Sequence, residues 1–212
     1  MELSDNIIIC EANAFPRQLM QPFYLDYVGV VVCHQGMFHF RADGASFVVS
    51  AGETVFLSKG VMFQVTDTTQ ELRYTLLFYR TEQIVDMLGN TVVTMRLYST
   101  IYPSACYVMH TGYEEMLSDY AQMLSRIEGK GDTDIYSSHE HKLLLMAVTY
   151  RLCSIFSNTL KSPTKEMDRK IEIFEELVHL IEEHYTRERS VAFYADKLCL
   201  TPKYLTVLVK SL

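Results

Sequence analysis

The hydrophobic positions change their period along the chain, and the change divides it. Residues 25–34, 37–41, 45–49, 54–58, 62–66 and 73–79 are short runs rich in β-branched and aromatic side chains. Between them stand Gln35-Gly36, Asp43-Gly44, Ala51-Gly52, Lys59-Gly60 and the polar stretch 67–70. Short strands separated by turn residues predict a β-sandwich or barrel. Residues 81–88 follow as a short predicted helix, stopped by Gly89-Asn90.

From Tyr113 the period becomes helical. Tyr113, Met116, Leu117, Tyr120, Leu124 and Ile127 recur at three and four residues and form one stripe, ended by the loop 129–132. A longer helix is expected at about 134–160. Its middle, residues 143–148, is apolar nearly all round, so it must be buried on more than one side. A two-helix hairpin packed on the β-domain and on a second subunit satisfies that demand, which predicts a homodimer through residues 112–160. Residues 161–165 are polar, contain Pro163 and read as a linker. A third helix is expected from about Asp168, with Ile171, Phe174, Leu177, Val178, Ile181 and Tyr185 as its stripe. The expected fold class is therefore α+β. The expected divisions are a β-domain at 1–105, a helical dimerisation region at 106–160, a linker at 161–167 and an all-α segment at 168–212.

The last segment carries the clearest local signals. Ser190 is an N-cap type residue before a short helix that ends near Leu198. Thr201-Pro202 is a second helix start, with threonine capping and proline in the first helical position. Two starts with so little between them predict a tight helix-turn-helix. Ala195 lets the helices approach, and Leu198, Leu200, Leu205 and Leu208 form their shared core. Lys203, Thr206, Val207 and Lys210 then point away from that core. A helix with a short, polar, basic outer face suits a major groove. There lysine reaches phosphates or guanine edges, and threonine bonds a base or a phosphate.

Composition narrows the classes. With 212 residues, 49% of them apolar, the chain has ample surface to bury, which excludes low-complexity disorder. Nine glycines and five prolines exclude a collagen-like fibre. The formal charge of −7 argues against a chain that coats nucleic acid along its length. That charge is uneven. Residues 1–105 hold six basic and ten acidic side chains, and 106–160 hold four and seven. Residues 185–212 hold five basic against two acidic, so the positive charge sits at the predicted helix-turn-helix. The five cysteines are scattered and form no C-x-x-C pair, which suits free thiols in a reducing compartment. The N-terminus has no basic n-region, and the apolar stretch 7–10 is too short for a signal-peptide core. No run approaches the ~18 apolar residues of a membrane helix. A soluble, cytoplasmic protein is expected, without a membrane partner.

Val191 to Lys210, with its Ala195-Asp-Lys-Leu-x-Leu-Thr-Pro-x-Tyr-Leu pattern, resembles the first helix-turn-helix of AraC-type (AraC/XylS) transcription regulators. The order of parts also resembles that family, which implies a cupin-like sensor barrel, dimerising helices, a linker and a DNA-binding domain. The resemblance implies DNA and a small-molecule effector as partners, with Lys203, Thr206, Val207 and Lys210 facing DNA. Two departures stand out. Family members carry a second helix-turn-helix, joined by a long helix, and this sequence ends at Leu212 without either. Family members also often place arginine or another polar residue where Val207 stands. The expected reading is an AraC-type regulator present without its second helix-turn-helix.

Tyr27, Phe38, Phe40, Phe47, Phe63 and Tyr74 either line a ligand cavity in the barrel or fill its core. Metal cupins use two histidines separated by one residue, a nearby glutamate and a later histidine. Here His34 and His39 are five apart, Gln64 stands near the later position, His110 is isolated, and His139 and His141 do not share a helix face. No metal, cofactor or catalytic residue is expected. A cupin-type enzyme, or a ligand-binding dimer without DNA binding, remain the alternatives.

Overall fold

The computed structural model describes residues 7–84, 87, 104, 106–128, 135–159 and 165–211. The Gly89-Asn90 stop, the 129–132 loop and linker residues 161–164 lie outside the described residues. The chain forms two compact units. The first holds the described residues up to Met87 and from Ser104 to Ile155, and the second holds the described residues from Phe156 onward.

The first unit is built on β1 (Ile7–Ala12), β2 (Phe23–Tyr24), β3 (Val28–Gln35), β4 (Met37–Ala42), β5 (Ala45–Ser50), β6 (Thr54–Leu57), β7 (Met62–Thr68), β8 (Arg73–Tyr79) and β9 (Cys106–Met109). They pair antiparallel in two sheets, ordered β1-β8-β3-β6-β9 and β2-β7-β4-β5. The inner face of the larger sheet contributes Ile8, Val31, Cys33, Val55, Tyr74, Leu76 and Phe78. The smaller sheet meets it with Phe38, Phe40, Val49, Phe63 and Val65. These two faces make the core of a sandwich.

Sequence pattern follows burial. The smaller sheet has a wet outer face, so β4 alternates, with Phe38 and Phe40 buried and Met37 and Arg41 exposed. The larger sheet is buried on both faces. Its outer positions Val30, Val32, Thr54, Phe56 and Leu77 are as buried as its inner ones. That is why β3 and β8 read as continuous apolar runs rather than alternating ones. The β4–β5 hairpin closes on Asp43 (φ 48°) and Gly44 (φ 84°), with Ala42 opposite Ala45. Two positive φ values in a two-residue loop define a type I′ turn, which sets the register of both strands.

Helix α1 (Glu114–Glu128) begins in a capping box. The Thr111 N–H donates to Glu114 Oε1 at 2.8 Å, and the Tyr113 N–H donates to Thr111 Oγ1 at 3.0 Å. Leu117, Ala121 and Leu124 are buried, and α1 packs on β1, β8 and β3. Helix α2 (Ile135–Thr159) buries Leu145, Val148, Thr149, Leu152 and Ile155. Thr149 gives its only hydroxyl proton to the Leu145 carbonyl at 2.8 Å. The Tyr79 hydroxyl, 2.8 Å from Thr149 Oγ1, must therefore be the donor in that buried bond. Tyr79→Phe removes the donor and keeps the ring. It is expected to cost about 1 kcal/mol, read as a lower urea midpoint at unchanged m-value.

The second unit contains α3 (Lys165–His184), α4 (Val191–Lys197) and α5 (Pro202–Ser211). Ser190 caps α4 by accepting the Phe193 N–H at 3.1 Å. Thr201 caps α5 by accepting the Tyr204 N–H at 3.2 Å, ahead of Pro202 in the first turn. Leu177, Tyr194, Ala195 and Leu205 form the unit's core, with Leu180, Ile181, Phe193, Leu198 and Leu200 around it. The turn between α4 and α5 places Cys199 at φ 55°, a left-handed conformation that costs a residue with a Cβ about 1–2 kcal/mol. Cys199→Gly is expected to stabilise this unit by about 1 kcal/mol, seen as a higher melting temperature, and Cys199→Val to lower it.

Several boundaries differ from the expectation. β1 and β2 fall where no strand was expected. β9 extends the larger sheet past the expected limit at residue 105, so Cys106–Met109 is strand and not part of a helical region. β3 starts at Val28, because residues 25–27 form a loop whose Leu25 exchanges backbone bonds with Gly60 and Val61. Within the predicted helix 81–88, residues 81–83 form a 3-10 turn and Met87 is helical, while 85, 86 and 88 lie outside the described residues. α3 starts at Lys165, inside the expected linker 161–167. Lys165, Glu166 and Asp168 make the start of the helix polar, which composition alone reads as linker.

Candidate functional site

The outer face of α5 is the first candidate. At about 100° per residue, Leu205 and Leu208 define one side, and Lys203, Thr206, Val207 and Lys210 cluster opposite. Burial follows that geometry: Leu205 and Leu208 are 2% exposed, while the four others are exposed and Val207 is 57% exposed. The sequence-expected residues are therefore brought onto one open face. Thr206 shows a detail that spacing could not give. Its hydroxyl donates to the Pro202 carbonyl at 2.8 Å, so outward it offers lone pairs and a methyl group, not a proton.

Tyr27, Phe38, Phe40, Phe63 and Tyr74 lie in one buried cluster of the sandwich, with Phe47 packed against it. Phe40 stacks on Phe47 at 5.1 Å and contacts Phe63 at 5.4 Å and Phe38 at 6.0 Å. Phe15, from the loop after β1, stacks on Tyr74 at 4.0 Å and meets Phe38 edge-on at 5.1 Å. Tyr27 lies near Phe78 and under the Arg80 guanidinium. Phe15 and Leu19 fill the sandwich from the loop between β1 and β2. Their apolar character among polar neighbours was the available signal. Burial pushes the Tyr74 phenol far above its ordinary pKa, and its hydroxyl donates to the Ala14 carbonyl at 3.2 Å.

The histidines are not gathered. His34 lies on β3 and His39 on β4, in different sheets. Gln64 donates from Nε2 to the Met20 carbonyl at 3.0 Å. His110 donates from Nδ1 to the Gly52 carbonyl at 2.7 Å, and His139 from Nδ1 to the Ile135 carbonyl at 2.7 Å. Among the described residues no group of three His, Cys, Asp or Glu side chains is placed to hold a metal ion. Among the same residues no helix is long and apolar enough to cross a membrane.

His34 instead ties the sheet to α1. Its Nε2 lies 2.8 Å from Thr75 Oγ1 and 3.3 Å from Ser118 Oγ. Burial, the largest influence, holds its pKa below 6.5, against Glu11, which raises it. His141 is lowered by burial too. On acidification the unfolded chain takes up these protons first, so stability falls as pH drops through and below the ordinary histidine range. The urea midpoint is expected to fall between about pH 7.5 and 5.5, and to fall less in His34→Gln.

Sequence reasoning missed a second feature, a groove between α1 and the β1–β8 edge, lined by residues that include Glu11, Gln122, Ser125 and Arg126. The groove joins parts more than a hundred positions apart.

No protein-family model and no curated protein matches the chain. Solved structures give loose likenesses. The AraC-like transcriptional activator CuxR is 16% identical, with a TM-score of 0.40 over 88% of this chain and 61% of its own. This chain thus spans less than two thirds of that protein. Apo ToxT K231A from Vibrio cholerae strain SCE256 is 10% identical, with a TM-score of 0.43 over 100% of this chain and 77% of its own. A Cupin 2 conserved barrel domain protein from Salinispora arenicola CNS-205 is 17% identical, with a TM-score of 0.27 over 42% of this chain and 88% of its own. The superpositions are too loose to transfer chemistry, which must come from this chain's own side chains.

Proposed function

We propose that the chain is a transcription regulator that contacts DNA through α5 and senses a small molecule through its first unit. The division of α5 carries the reading: two buried leucines on one side and an open face of Lys203, Thr206, Val207 and Lys210 on the other. A helix of that form enters a major groove by its N-terminal half. The lysines neutralise phosphates. Thr206 accepts from the amino group of adenine or cytosine, and Val207 packs on a thymine methyl. The resemblance of residues 191–210 to AraC-type regulators points the same way, as does the local excess of five basic over two acidic residues in 185–212.

In this reading the protein is a homodimer through residues 112–160. Support comes from apolar side chains left open on both helices, Met116 and Met123 on α1 and Leu143 and Tyr150 on α2. The effector set Tyr27, Phe38, Phe40, Phe47, Phe63 and Tyr74 is packed, so a molecule entering the sandwich has to displace side chains. The test is repeated selection from a pool of random duplexes at low salt, followed by gel shift. A shared short motif is expected to emerge. A pool that stays random after repeated rounds contradicts the proposal.

A further inference from the structure

We infer that the groove between α1 and the β1–β8 edge binds a small organic carboxylate with an apolar body. The groove has a volume of about 230 Å3. It exists because α1 presents two small side chains one turn apart, Ala121 and Ser125, where Leu117 and Leu124 fill the neighbouring positions. Ile9 and Ala121 give it an apolar wall, and Gln122, Ser125 and Arg126 give it a polar rim.

Charge decides the ligand class. Glu11 also lines the groove, but it is already engaged. Arg73 Nη2 lies 3.7 Å from its Oε1, and Gln122 Nε2 donates to its Oε2 at 3.4 Å. Arg126 is exposed and has no hydrogen bond or ion pair from its guanidinium among the described residues. Arg73 and Gln122 thus occupy the Glu11 carboxylate and leave the Arg126 fork as the open charged donor on the groove's rim. A carboxylate matches that fork, with the apolar remainder against Ile9 and Ala121. The volume lies below the roughly 300–1,000 Å3 of drug-sized sites, so the ligand is metabolite-sized. Such a ligand binds the first unit whether or not α5 contacts DNA.

The probes are 2-naphthoate and its uncharged amide, titrated into the whole chain by calorimetry and by amide NMR. Naphthoate is expected to bind saturably below about 1 mM and to shift amides at 9–11 and 121–126. Arg126→Met is expected to weaken naphthoate by about tenfold or more, to the level of the amide, because a charge-assisted hydrogen bond is lost. Ser125→Leu, at an exposed position, fills the groove and is expected to abolish binding of both probes while the spectrum stays folded. Absence of saturable binding overturns the inference. So does binding that Arg126→Met leaves unchanged, or that shifts Phe38, Phe40 and Phe63 instead of the groove.

Discussion

Gly29→Ala is expected to cost the sandwich at least about 2 kcal/mol. Gly29 sits on β3, the central strand of the larger sheet, opposite Phe78 on one side and Leu57 on the other. A Cβ there runs into the Leu77 carbonyl oxygen and comes within 2.8 Å of Phe78 Cδ1. The first obstacle is backbone held in a ladder, so it cannot turn aside as a flexible side chain would. Gly44→Ala is the control. A Cβ at Gly44 meets nothing within 4 Å, and only its positive φ resists the change, at about 1 kcal/mol. The chain has no tryptophan, so near-ultraviolet circular dichroism of its tyrosines in urea is the suitable readout. A Gly29→Ala midpoint equal to that of Gly44→Ala would contradict the packing described for β3.

The double variant Lys203→Ala/Lys210→Ala is expected to show the largest loss of DNA binding. Each lysine that neutralises a phosphate steepens the dependence of log affinity on log salt by about 0.9. Removing both should flatten that slope by about 2 and weaken binding on the order of tenfold per lysine near 50 mM salt. Neither side chain is buried, so the fold should be untouched. Thr206→Ala and Val207→Ala should behave differently, leaving the slope alone while reducing discrimination between sites. Gel shifts at several salt concentrations separate the two behaviours.

The sequence made some elements legible and hid others for physical reasons. The β4–β5 hairpin was readable because Asp43-Gly44 favours the two positive φ values its turn needs. The start of α5 was readable because Thr201 and Pro202 each satisfy a different demand of a helix N-terminus. Once that start is fixed, helical phase alone places Lys203, Thr206, Val207 and Lys210 together. β1 was harder, because four apolar residues can be a strand, a helix turn or a plug, and only pairing with β8 decides. β9 was harder still, lying just before the helical stripe begins at Tyr113. The sequence left open whether the aromatic set lines a cavity or fills the core, and only mutual packing, with Phe15 and Leu19 inserted from a loop, shows how closely the rings meet. The groove was invisible in principle: Glu11 and Gln122 are 111 positions apart and meet only through folding. Even the polarity of Thr206 was hidden, since its outward lone pairs depend on which way its hydroxyl turns.

The central claim is that the open face of α5 touches DNA. Titrating the labelled chain with a selected duplex at low salt, and following its amide and methyl NMR signals, tests it most directly. The largest shifts are expected at Lys203, Thr206, Val207 and Lys210, with the inward-facing Leu205 and Leu208 methyls and the first unit little changed. Shifts confined to the first unit, or none at saturating duplex, would contradict it.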